Sequence, residues 1–138
     1  MLIHFASPCA RRPRRAAAAV ELALLLPFLA FIFVAGVDYA RVFYYYLTVT
    51  NCARSGALYA STDAAHASDT TGIQSAAQAE SAELAPKLSV SSTTGTDSAG
   101  NPYVAVTVSY PFKTIANFPG IPSSATIIRT VQMRVAPP

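Results

Sequence analysis

Few side chains in this 138-residue chain carry reactive chemistry, and they are thinly spread. Asp63, His66 and Asp69 bear metal-ligating atoms close together, but within a run of Ser, Thr, Asp, Ala and Gly. Short polar runs of that kind are ordinarily solvated loop, so the reading taken is that no metal site is present. His4 lies in an N-terminal tail. Cys9 and Cys52 are too few for a disulfide framework or a four-ligand zinc site, and Cys52 reads as a small residue on a helix face. A glycine-rich phosphate loop, a nucleophile elbow and metal-ligand spacing are all missing from the sequence. The expectation is a non-enzymatic chain with no catalytic residue and no cofactor.

Glu21 is the exception. It is the only charge in residues 16–37, AAAAVELALLLPFLAFIFVAGV. An ionisable group inside an apolar span costs about 2.5–3.5 kcal/mol on insertion scales, which makes it a functional candidate by default. A carboxylate near a helix N-terminus can also snorkel to the interface, favoured by the helix dipole. Position alone leaves both readings open.

The element that must position Glu21 follows from composition. Hydrophobic residues are 52% of the chain and charged residues 12%, against roughly 25% charged in an ordinary soluble domain. Twenty-two residues at 1.5 Å each make about 33 Å of helix, enough for a hydrocarbon core of about 30 Å. Arg11, Arg12, Arg14 and Arg15 precede the span; the rest of the chain has six basic and seven acidic side chains, a net of −1. The high pI therefore belongs to a short flag, not to a basic folded face, and no nucleic-acid partner is expected. The positive-inside rule puts residues 1–15 in the cytoplasm and everything after Asp38 outside. A cleavable secretory signal ending near Gly36 is the competing reading, opposed by Glu21 and by the unbroken helical pattern beyond.

The expected order is a basic leader over 1–15, a transmembrane helix over 16–37, a helical stalk over 38–62 and a small α+β domain over 63–138. In the stalk, Val42, Tyr46, Val49, Ala53, Gly56 and Ala60 define the packed face, with Arg41, Thr48, Asn51 and Ser55 largely off it. Cys52, Ala53 and Gly56 allow close backbone approach. Pro27 removes a hydrogen bond within the span and predicts a kink. Residues 61–74 read as loop, 73–85 as a second helix stopped by Pro86, 88–92 as a weak strand and 93–102 as a turn. Strands over 103–112 and 126–135 alternate, with a Pro- and Gly-punctuated loop over 114–124 between them. Three strands make an antiparallel sheet whose apolar face covers the stalk. A core this small calls for help from the membrane or from neighbouring subunits.

Four motifs in order carry a resemblance: Arg15 to Leu22 (RAAAAVEL), Leu25-Leu26-Pro27, Asp38-Tyr39-Ala40-Arg41 and Ala53-Arg54-Ser55-Gly56-Ala57. The chain resembles the TadE-like pseudopilins, pilin-like components of the tight-adherence (Flp, type IVc) pilus machinery. The family pattern runs roughly RG-x-A-A-V-E-F-A, LLP, [DE]-[FY]-[GA]-R and A-R-x-G-A-R. The resemblance is dense over 14–61 and looser beyond, although the TVQMRV ending of the last strand also looks like the family's. It singles out Pro27, Asp38, Arg41, Arg54 and Gly56 as motif positions on the helix. It also implies cleavage by a prepilin peptidase between Ala16 and Ala17, which makes Glu21 the fifth mature residue. Ala16 stands where the family has Gly, Leu22 where Phe or Tyr is common, and Leu58 where a second Arg is usual. The implied partners are other pilin or pseudopilin subunits, the assembly platform, the peptidase and membrane lipid. An anchored envelope domain with a binding role, and a secreted α+β domain, are the competing readings.

Overall fold

A computed structural model describes residues 13–115 and 123–137, with side chains from residue 17 onward. The leader residues 1–12, with His4, Cys9, Arg11 and Arg12, and most of the 114–124 loop lie outside the described residues. Helix α1 runs from Pro13–Ala60, 48 residues. Alanines and leucines, strong helix formers, fill its first half, and the helix continues through Pro27. Two compact units divide at Val37 and Asp38.

In the first unit the apolar side chains stay exposed: Leu24 by 74%, Phe33 by 71% and Phe28 by 60%. A water-soluble helix hides such a stripe, so these side chains suit a lipid solvent. Among the described residues one helix is long and apolar enough to cross a membrane.

The second unit is α+β: the C-terminal half of α1 packs on a three-stranded antiparallel sheet in the order β1-β2-β3. After α1 come α2 (Ala64–Ser68), α3 (Thr70–Ala79), a 3-10 turn at Ala85–Lys87, β1 (Ser89–Thr96), β2 (Pro102–Lys113) and β3 (Ser124–Arg134). The central strand β2 buries Val104, Val106, Val108, Tyr110 and Phe112 on one face, as its alternation predicts. β3 turns Ile127, Val131 and Met133 to the same core. Val49, Cys52, Ala53, Ala57 and Ala60 of α1 meet them, with Ile73 and Ala77 of α3 and with Leu84 and Leu88. Pro111 lies beyond the last β1 pairing, Ser89 with Ser109, where one edge of β2 has no strand partner and proline is tolerated. The chain closes on itself through the Ala136 N–H donating to the Ser61 carbonyl at 2.9 Å.

Three expectations are corrected. The 61–74 loop and 73–85 helix are instead two short helices beginning at Ala64, because Asp63 and Asp69 each cap a helix start. Their carboxylates accept from the His66 and Gly72 N–H groups at 2.8 and 2.9 Å. The weak strand is eight residues long, and the turn shrinks to 97–101. There Asp97 Oδ1 accepts from the Ala99 and Asn101 N–H groups at 2.9 and 2.8 Å, and Gly100 takes φ +83°. Finally, the packed face of α1 is rotated at its upper end. Val42 and Tyr46 are 37% and 38% exposed, whereas Arg41, Tyr45 and Thr48 are half-buried. Tyr110 and Phe112 at the end of β2 draw Tyr45 inward, so the buried line runs Asp38, Tyr45, Cys52 at seven-residue spacing.

Candidate functional site

The motif residues fall into an exposed group and a packed group. Glu21 is exposed, one turn after Ala17 on α1, and has no ion-pair partner among the described residues. Ala16 and Ala17 lie within the first turns of the same helix. Arg54 is also exposed. Among the described residues nothing pairs with Glu21, so an apolar medium would leave its charge in need of a partner from beyond them.

Asp38 and Arg41 do the opposite. Asp38, only 7% exposed, is the single buried charged residue among those described. Its Oδ1 accepts from Arg41 Nη1 at 2.8 Å, one helical turn away. The backbone N–H of Ile115 donates to both carboxylate oxygens, at 3.0 and 3.1 Å. The Arg41 guanidinium lies 5.2 Å from the Phe112 ring centroid and 6.0 Å from that of Tyr45. The Asp-Tyr-Ala-Arg motif thus fastens α1 to the end of β2.

Gly56 marks a close approach of three elements. A Cβ there would sit 3.3 Å from each of Ala77 Cβ, the Ile73 carbonyl oxygen and Val106 Cγ1. The glycine lets α3 and β2 close on α1. Cys52 beside it is fully buried, and burial, then the nearby Glu80 charge, pushes its thiol up. A thiol held protonated is a core group, not a nucleophile.

The Asp63, His66 and Asp69 group is brought together, but its carboxylates are engaged as caps. His66 Nδ1 lies 2.8 Å from Asp63 Oδ1, one helical turn away. The Tyr59 hydroxyl donates to Asp69 Oδ2 at 2.9 Å, and its ring meets His66 edge-on at 4.8 Å. Among the described residues no group of three His, Cys, Asp or Glu side chains is arranged to hold a metal ion.

Sequence reasoning missed the aromatic cluster above this core. Tyr45 stacks on Tyr110 with centroids 5.0 Å apart and tilts against Phe112 at 5.7 Å. Arg129 of β3 lies 4.5 Å from the Tyr46 centroid. A signal existed: Tyr110 and Phe112 continue the two-residue alternation of Val104, Val106 and Val108.

The family model described as TadE-like protein matches residues 16–58. That segment holds Glu21, Pro27, Asp38, Arg41, Arg54 and Gly56. No curated protein and no solved structure matches the chain.

Proposed function

With residues 16–58 TadE-like, a family that implies a role in tight-adherence pilus systems, we propose that the chain is a membrane-anchored minor pseudopilin acting in assembly of such a pilus, structural and non-enzymatic. The apolar helix crosses the inner membrane once, with the arginine flag in the cytoplasm and the α+β unit outside. A prepilin peptidase removes the flag between Ala16 and Ala17, and the new amine at Ala17 meets Glu21 of a neighbouring subunit. Opposite charges in a low-dielectric site attract strongly, and either left alone is costly, so the pair sets register between subunits. The partners are other pilin-like subunits and the assembly platform.

The observation that supports this reading best is Glu21 itself. It is an exposed acid without an ion-pair partner among the described residues, on an exposed apolar helix inside the TadE-like segment. Glu21→Ala makes the span more apolar while removing the partner of the amine. The expected result is normal membrane levels with loss of piliation, or of co-purification with other pilus components. Pili assembled at parental levels by the variant would return Glu21 to a snorkelling carboxylate.

A further inference from the structure

A cleft of about 330 Å³ gathers three cations from three different elements: Arg41 of α1, Lys87 of the 3-10 turn and Lys113 at the end of β2. Its wall is aromatic, made by Tyr45, Tyr110 and Phe112. Arg41 is oriented from two sides, by the Asp38 carboxylate on Nη1 and by the Phe112 face. A guanidinium carries five N–H donors in a planar fork, so the bond to Asp38 uses only part of its capacity. Lys87 and Lys113 are exposed and have no ion-pair partner among the described residues. Among the described residues, the carboxylates that act on this cleft are Asp38, paired with Arg41, and Glu83, whose charge reaches Tyr110. Three cations against two carboxylates leave an excess of one positive charge around a preformed concavity.

The placement along the chain is informative. Arg41 stands four residues past Val37, about 6 Å of helix beyond the apolar stretch. Tyr39, Phe43 and Tyr44, exposed by 76%, 56% and 55%, occupy the same turns. Exposed aromatics just outside an apolar span are the residues that settle at a membrane–water interface. Arg41, so close to the outer end of the span, runs against the positive-inside bias, and the fold adds Lys87 and Lys113 beside it. A fork and two ammonium groups suit phosphate oxygens, the fork by paired N–H bonds and the lysines as point charges.

We propose that this cleft binds the phosphodiester headgroup of an anionic lipid in the leaflet facing the α+β unit, holding that unit against the bilayer surface. The inference rests on the membrane-anchored reading above.

The test uses the full chain with phosphatidylcholine alone or mixed with phosphatidylglycerol. Co-flotation with phosphatidylcholine vesicles is measured first, then the thermal midpoint in nanodiscs of each composition. Phosphatidylglycerol is expected to raise the midpoint of the parent chain. The double variant Lys87→Gln, Lys113→Gln should keep the parent's midpoint in phosphatidylcholine but lose most of that rise, and Lys113→Arg should retain it. Glycerol phosphate dissolved around phosphatidylcholine discs should give no rise. An equal rise in the double variant, no rise in the parent, or an equal rise from dissolved glycerol phosphate would each overturn the lipid site. Failure to co-float would overturn the membrane reading and this inference with it; insertion without a phosphatidylglycerol effect would overturn this inference alone.

Discussion

Asp38 and Gly56 show how much can rest on single residues where elements converge. Asp38 is the acceptor for Arg41 and for the Ile115 N–H, so its removal strands two donors at once. Asp38→Ala is expected to destabilise the α+β unit by about 1–3 kcal/mol, the cost of leaving buried hydrogen-bonding groups unsatisfied, and not more because Arg41 is a third exposed. Thermal unfolding of the full chain in detergent measures it, and an unchanged midpoint would mean the contact contributes little. At Gly56 two of the three neighbours are side-chain carbons, but the Ile73 carbonyl belongs to a helix backbone and cannot retreat alone. Gly56→Leu should cost about 1–3 kcal/mol by overpacking. The expected readout is faster proteolysis of the α+β unit. Parental protease resistance would show that the three elements can part at little cost. A Gly in a small-residue helix pattern is legible as a close approach; which elements approach is not, because α3 and β2 are fixed by long-range packing.

At the scale of elements, the carboxylates that begin and end local structure make the fold acid-sensitive. The backbone N–H of His66 holds Asp63 below the usual carboxylate range, that of Gly72 and then the Tyr59 hydroxyl do so for Asp69, and that of Asn101 does so for Asp97. A carboxylate depressed in the folded state contributes stability that is complete above its unfolded value, about 3.9, and is lost as pH falls through the folded value. All three are solvent-exposed, so the loss is gradual and weakened by salt. Acid titration followed by circular dichroism should be shallower for Asp97→Asn than for the parent; superimposable curves would contradict the role of the turn. These caps also mark where sequence reading stops short. Asp63 and Asp69 sit in the composition of a loop, and a five-residue helix such as α2 has too little periodicity to announce itself. β2 was legible because its alternation is local and long. The rotation of the packed face of α1 was not, since the rings that cause it lie on a distant strand.

For the whole molecule, the apolar stretch and the four spaced motifs were readable without coordinates, and the TadE-like match covers the same segment. A three-stranded antiparallel sheet was readable from strand alternation; the order β1-β2-β3 comes from the structure. The basic-aromatic cleft did not, because Arg41, Lys87 and Lys113 are far apart in the chain and meet only once β2 docks on α1. A processed pseudopilin differs from an unprocessed anchor and from a secreted domain in the first residue of the mature protein. Intact-mass analysis of the chain from cells with and without prepilin peptidase reads that residue. A chain beginning at Ala17, without the arginine flag and Cys9, is expected when the peptidase is present, and a longer one when it is absent. A chain that keeps Arg11 to Arg15 in both would contradict processing, and one beginning near Val37 would overturn the membrane anchor itself.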